Sequence, residues 1–485
     1  MLKKVTAVVM AAAMTIISLA GCGGDGGQGK ASDKVKISFS FWEPSTGTEL
    51  EDALSKIVEN YKSVRPDVEV ELISQPVSGY QEWIKTRFAS NQAPTIESNH
   101  ATIIGEQYKQ GLTVDLKEAL ESESPYDKKT WKDCFVDGKL EQATDYTQPW
   151  HVALPLFDLG VAYYYNMDLY EKLNLKVPET WNEFIQNCET IEKDGTNPIA
   201  FMAQKKDAVV WFMWYLNTGL LGDAFLSDSN INVNGDCAIS NNEIAAAISN
   251  GKIDLTSGKY KDLQERFWDE VKNYAKYSKN ATGFDEAAAK SQLLTGKAAH
   301  LMSGSWDLQT FMENEENVRI GAFKLPAFTT DNSEYVCGNP VIGGVQSLTI
   351  TKSAEKDTAV KEAAIDFLQF MFSKEQYKIF VDSTKQIPTV KDLDIDPIFE
   401  AFQGGSVPVD NILCLDSDKM AQTPTDAVMQ LLSGQNFDYA DMEKKLNENY
   451  KMWLEEYESD GKFTKENNYG LDELDMRGGK YEKTR

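Results

Sequence analysis

Apolar and polar residues alternate over residues 35–42, with Val35, Ile37, Phe39 and Phe41 on one side, which is the period-2 pattern of a strand with a buried face. Leu50, Leu54, Ile57, Val58 and Tyr61 then recur at helical spacing until Arg65-Pro66 stops the run. Thr48 stands before that helix with Glu51 three residues on, the arrangement of a capping box. Val68, Val70 and Leu72 give a second strand, and residues 80–89 a second helix with Trp83, Ile84 and Phe88 inward. This β-α-β-α order predicts a parallel sheet with right-handed crossovers, hence an α/β fold.

The densest stretch is residues 154–181, LPLFDLGVAYYYNMDLYEKLNLKVPETW. Residues 154–165 are almost unbroken in apolar and aromatic side chains, with Gly160 where no side chain fits, so they suit a strand covered on both faces by helices. Asn166 and Met167 turn the chain into a short helix over 168–173. Pro178 and the run Thr180-Trp181-Asn182-Glu183 then start another, with Thr180 as cap and Glu183 at the third helical position. Helices follow over 183–193, 258–277 and 284–294, the last closed by Gly296, with strands over 199–202 and 297–302. Trp211, Phe212, Trp214 and Tyr215 form an aromatic stripe at helical spacing that reads as core packing. A buried helix covers 362–372, Ser373 with Gln376 caps the next, and the tail is helical by period over 396–457. Beyond Tyr457 the chain turns polar and charged and is expected to be loosely ordered.

At 485 residues with 42% hydrophobic side chains, the chain can fill more than one large core. Its 49 basic and 75 acidic residues leave a net charge of −26, and loss of a leader containing Lys3 and Lys4 would take it to −28. Such a surface repels nucleic acid and anionic lipid, and it suits a neutral or cationic ligand. Residues 1–21 have the form of an export signal: Lys3-Lys4, an apolar run, then small residues. Leu19-Ala20-Gly21-Cys22 resembles a bacterial lipobox, in which Cys22 is lipidated, and residues 22–34 make a glycine-rich tether that cannot pack. The expectation is a cell-membrane lipoprotein on the extracellular face. Cys134, Cys188, Cys237, Cys337 and Cys414 are odd in number and widely spaced, so they read as core residues with at most one or two bridges and no metal site. The run from Asp228 to Asn234 begins like a calcium loop but lacks its sixth-position glycine and a well-placed twelfth-position Glu. No cofactor is expected.

Three ordered motifs carry a resemblance. These are the strand ending YYN-x-D-L-Y-x-K-L with TW-x-E-F after a proline, the run G-K-A-A-x-x-x-x-G-S-W-D at 296–307, and Gly343-Gly344 leading into residues 348–351. Together they resemble family 1 extracellular solute-binding proteins, the sugar-binding subunits of ABC importers related to maltodextrin-binding proteins. Ala93-Pro94-Thr95-Ile96 is similar to the family's A-P-D-[IV] strand start, with Thr95 in place of Asp. Leu325-Pro326 matches its "LP" strand, and Gln386-Ile387-Pro388 its return segment. The resemblance implies a type II periplasmic-binding-protein-like fold of two α/β lobes joined by crossing hinge strands. The N-lobe would comprise 35–157 and 345–392, and the C-lobe 158–344 and 393–485.

In open α/β sheets ligands sit at the carboxyl ends of strands. Trp42-Glu43, Phe157-Asp158 and Trp306-Asp307 fall at such ends, and Asn99, His100 and Asp207 at others, with Gly344 at the second passage between lobes. An aromatic ring packs on the C–H face of a sugar while carboxylates accept from its hydroxyls. The expected role is capture of a carbohydrate by a monomer, lobe closure and delivery to a permease, without chemistry. Two alternatives stay open: a surface-anchored glycosidase using paired carboxylates, and a polyamine or iron binder that would use Tyr163-Tyr164-Tyr165. Neither G-x-S-x-G, a Walker motif nor H-E-x-x-H occurs.

Overall fold

The computed structural model describes residues 34–43, 48–144, 149–313, 317–337, 343–394, 396–403, 418–435, 438–459, 461–474 and 480–481. The export signal, Cys22, most of the tether and Cys414 lie outside the described residues. Among those described, the strands are β1 (Val35–Trp42), β2 (Val68–Gln75), β3 (Ile96–His100), β4 (Leu154–Asn166), β5 (Asn197–Ile199), β6 (Ala298–Gly304), β7 (Ile320–Phe323) and β8 (Gly343–Ile350). Their order is β2-β1-β3-β8-β4-β6-β5, with β7 also on β4. β1 runs parallel to β2 and β3, and β5 to β6, as crossover helices require, while β8 and β4 run antiparallel to their neighbours. The result is a mixed α/β sheet of the type II periplasmic-binding-protein-like class.

β4 holds this arrangement together. Its first part, from Leu154 to Gly160, pairs with β8, and from Val161 onward it pairs with β6 and β7. Every residue but Leu159 and Tyr165 is buried, so both faces are covered, as its apolar sequence requires. At Gly160 an added Cβ would lie 2.7 Å from the Phe402 carbonyl oxygen, and this close approach is what excludes a side chain there. One core gathers around Tyr163, Phe184, Phe212 and Tyr274. A second runs from Phe39, Tyr61 and Phe367 along β4 to Tyr164, Phe311 and Phe402.

Helix starts differ from the sequence reading in an instructive way. The Thr180–Glu183 capping box forms as expected. Thr48, by contrast, makes no side-chain cap: Glu43 accepts from the Leu50 and Glu51 amides at 3.2 and 2.7 Å instead. Ser373 likewise turns its hydroxyl back to the Phe370 carbonyl, and Asp127 receives the Lys374 amide at 3.2 Å. In both cases a carboxylate from outside the helix, Glu43 from just past β1 and Asp127 from 247 residues away, outcompetes the hydroxyl at the cap position, since a charged acceptor makes the stronger bond. Leu325-Pro326 follows a strand, β7, that ends at Phe323. The described part of the polar tail is tied down: Tyr469 is buried, Tyr457 donates to Asn242 at 2.9 Å, and Tyr481 donates to Asp223 at 2.9 Å. A few aromatic anchors fix a segment whose average composition suggests freedom. Cys134, Cys188, Cys237 and Cys337 are free thiols, the first two and the last buried. No helix among the described residues is long and apolar enough to cross a membrane.

Candidate functional site at the β4 crossing

The sheet register places the candidate residues before their side chains are considered. Ser40 of β1 lies opposite Glu97 of β3, so Trp42 and Asn99, each two residues on, reach the same end of the sheet. His100 is opposite Gln346 of β8, and Gln346 is opposite Phe157 of β4. Asp158 and Leu159 follow opposite Val345 and Gly344. Three residues beyond Asp158, Val161 pairs with Gly304, the end of β6, and the Gly160 amide donates to the Ser305 hydroxyl at 3.3 Å. The exit of β6 therefore meets β4 where it changes partners.

On the β1–β3 side, most candidates are engaged with the protein itself. Trp42 is buried, its ring 4.7 Å from that of Tyr80 and 5.1 Å from that of His100. Asn99 is buried, donating to Glu97 at 2.7 Å and accepting from Gln81 at 2.8 Å and from the His100 amide at 2.9 Å. Glu43 is the helix cap already described, and Phe157 stacks on Phe380 at 6.0 Å. His100 is exposed, and the atoms packed around its ring hold its pKa below the usual value, so it is a neutral imidazole at pH 7. Asp158 is buried with its oxygen 2.6 Å from Lys139 Nζ, and its amide donates to the Ile387 carbonyl, joining the return segment to the crossing. Burial pushes its carboxyl above the usual range against the pull of Lys139.

The β6 side is different. Trp306 is half-buried and folds back over Gly304, where an added Cβ would lie 2.1 Å from the indole ring. Its ring meets that of Trp211 edge to face, centroids 5.1 Å apart and planes at 60°, so two half-exposed indoles form a corner. Asp307 is buried, accepting from Ser303 and Lys290, each at 2.6 Å. Lys290 also pairs with Glu286 at 2.8 Å, Glu286 with Lys205 at 2.6 Å, and Lys205 Nζ lies 5.4 Å from the Trp211 ring centroid. Burial alone would lower the Lys290 pKa, but Asp307 and Glu286 hold it above the usual value. Asp207 is exposed in the first turn of the Lys206–Leu226 helix. Gly344 is exposed and an added Cβ there meets nothing, whereas at Gly343 it would lie 2.0 Å from the Leu159 carbonyl oxygen.

The structure thus brings Trp42 and His100 together, and Trp306 with Asp307, along a sheet edge that continues through Phe157, Asp158 and Gly344, while Asp207 is exposed in the first turn of the helix that carries Trp211. Trp211, Lys139 and Lys290 were not among the residues expected there. For Trp211 a signal existed: four aromatics over residues 211–215 span about 160° of the helix at ~100° per residue, wider than a single core-facing stripe. Phe212 and Tyr215 are buried, and Trp211 and Trp214 lie at the half-exposed margin. Lys139 and Lys290 reach Asp158 and Asp307 across 19 and 17 residues, which no local pattern records, although the Glu286–Lys290 pair is an ordinary i,i+4 helical spacing.

The family model for the bacterial extracellular solute-binding protein matches residues 46–378. The multiple sugar-binding protein of Streptococcus mutans is 25% identical over 370 residues, covering 76% of this chain and 78% of that one. The melibiose/raffinose/stachyose-binding protein of Bacillus subtilis is 22% identical over 469 residues, 93% of this chain and 98% of its own. Among solved structures, the ligand-free form of RafE from Streptococcus pneumoniae superimposes with a TM-score of 0.62 at 20% identity, covering 88% of this chain and 100% of that one. With the match spanning well over half its length, and with its sheet built around one crossing strand, this chain belongs to the bacterial extracellular solute-binding protein family.

Proposed function

We propose that the protein captures a carbohydrate, an oligosaccharide, and delivers it to the permease subunits of an ABC importer. The observation that carries this reading is the corner made by Trp306 and Trp211 beside the crossing of β4. Half-exposed indoles offer the flat apolar face that the C–H side of a pyranose covers. Asp307, the buried carboxylate that follows Trp306, is already matched by Lys290, and Asp158 on β4 by Lys139, so a ligand need bring no charge of its own. Relatives named for multiple sugars, galactooligosaccharides and raffinose point the same way. In this reading residues 35–157 and 345–392 form one lobe, 158–344 and 393–485 the other, and they close about β4 and β8 on the ligand. His100 and Trp42 approach from the first lobe, and closure is the whole of the work: the chain binds and carries out no turnover. The mature chain is a monomer held outside the cell by lipid on Cys22, so Cys22→Ala releases a folded protein into the medium.

The test is a thermal-shift screen with raffinose, melibiose, stachyose and galactooligosaccharides, followed by calorimetry. A ligand at a hundred times its Kd stabilises by about 2.7 kcal/mol and raises the melting point accordingly. No shift with any sugar, together with a shift from spermidine or ferric iron, would transfer the assignment to those ligands. Release of new reducing ends from the oligosaccharides would make the protein a glycosidase.

A further inference from the structure

We infer that the alternating charges Lys205, Glu286, Lys290 and Asp307 form a brace that fixes the angle between the Trp211 and Trp306 indoles, with Glu286 as the central positioning residue. The inference rests on the proposed reading of that corner as the sugar platform. Lys205 stands at the start of the Lys206–Leu226 helix, which carries Trp211, and its ammonium group lies over the Trp211 ring. Asp307 directly follows Trp306 at the exit of β6. Between them, Glu286 and Lys290 are one turn apart on the Glu286–Leu294 helix, and the contacts run 2.6, 2.8 and 2.6 Å from one end to the other. One short helix thus ties the two elements that carry the rings.

A brace is needed because neither ring is held by burial. Both are half-exposed, and an edge-to-face contact alone tolerates sliding. A sugar that must touch both rings loses affinity if it also has to order them. The inner end of the brace is shielded on one side: Asp307 is buried and the Lys290 side chain is 20% exposed, so their pairing is screened less than a fully exposed pair would be. The brace touches no ligand itself. Glu286 is the one member bonded to a lysine on each side, so removing its charge separates the Trp211 end from the Trp306 end while Asp307 keeps its partner.

The full chain labelled with 5-fluorotryptophan provides the test, with the Trp211 and Trp306 resonances assigned by single Trp→Phe changes. In Glu286→Gln these two resonances shift or broaden without ligand, the remaining tryptophans keep theirs, and the Kd for raffinose rises about tenfold, as for residues coupled in one network. Lys290→Arg preserves both ion pairs and keeps the wild-type resonances and affinity. Should Glu286→Gln fail to fold, Lys205→Met cuts the brace at its outer end and carries the same expectation for Trp211. Unmoved Trp211 and Trp306 resonances, or a lower melting point with unchanged Kd, overturn the inference. If wild-type protein ignores raffinose and every other sugar, the carbohydrate reading falls, whereas the fluorine spectra of the ligand-free variants still decide the brace.

Discussion

Trp306 folds back over Gly304 and meets Trp211 edge to face, yet its ring stays half-exposed. A sugar ring covering that exposed surface would remove roughly 80 Å² of apolar area from water, about 2 kcal/mol, or about thirtyfold in Kd. Trp306→Ala is therefore expected to weaken sugar binding by one to two orders of magnitude on that scale while the melting point drops only slightly. A fully buried Trp would instead cost about 3–5 kcal/mol of stability, so calorimetry and melting on one variant separate a platform from a core residue.

At Glu97 the same scale gives a prediction about pH. Its carboxyl is fully buried, and desolvation pushes its pKa to about 7 despite bonds from Gln107 and Asn99. Glu97 Oε2 and Gln107 Oε1 are both buried without partners, although the two side chains already share a 2.9 Å bond. A proton on Glu97 lets Oε2 donate to Gln107 and satisfies both atoms. Because the folded pKa lies above the unfolded value of about 4.3, this group's contribution is full below that pH and is lost as pH rises through about 7, on the order of 3 kcal/mol in all. Buried His300, with its pKa lowered to about 3, slopes the other way below about 6.5, so the wild-type curve alone hides the effect. The difference between wild type and Glu97→Gln isolates it: the variant should match wild type near pH 4.5 and exceed it at pH 8.5. A difference that is flat with pH would contradict the raised pKa.

At the scale of elements, β4 and β8 are held so close that one of two adjacent glycines is obligatory. Gly343→Ala would drive a methyl into the Leu159 carbonyl and is expected to cost about 3 kcal/mol, whereas Gly344→Ala, exposed and unobstructed, stays within about 0.5 kcal/mol. Urea titration of the two variants compares them directly, and equal stabilities would mean β8 can shift without penalty. Helix ends teach a related lesson. Thr180 with Glu183 caps its helix while the Ala327 carbonyl takes the Trp181 amide at 2.8 Å, whereas Thr48 and Ser373 yield to Glu43 and Asp127. A cap pattern in the sequence states which residue is available, and the fold decides which acceptor arrives.

At the scale of the whole molecule, the proposed closure would turn two halves about the strands shared at the β4 crossing and the return at Ile387. Solution scattering should show a smaller radius of gyration when a sugar that raises the melting point is added. An unchanged profile at saturation would indicate a rigid binding module. The net charge of −26 favours solubility and repels anionic lipid.

Much of this was legible in the sequence by itself, because local rules leave little freedom there. The alternation of β1, the unbroken apolar run of β4 and the Gly-Ser-Trp-Asp exit of β6 specify strands, layers and the order of the chain, since a period of two or of 3.6 fixes which face each side chain presents. Only the tertiary structure decided which polar groups are free. Glu43, Asn99, Asp158 and Asp307 are ligand candidates by position, yet each meets a protein partner, three of those partners at helix or strand positions well separated along the chain. It also split the aromatic stripe, burying Phe212 and Tyr215 while leaving Trp211 half-exposed to form a corner with Trp306, 95 residues further along the chain. Electrostatic pairing and burial depend on distances in space, and a sequence orders its residues along only one dimension.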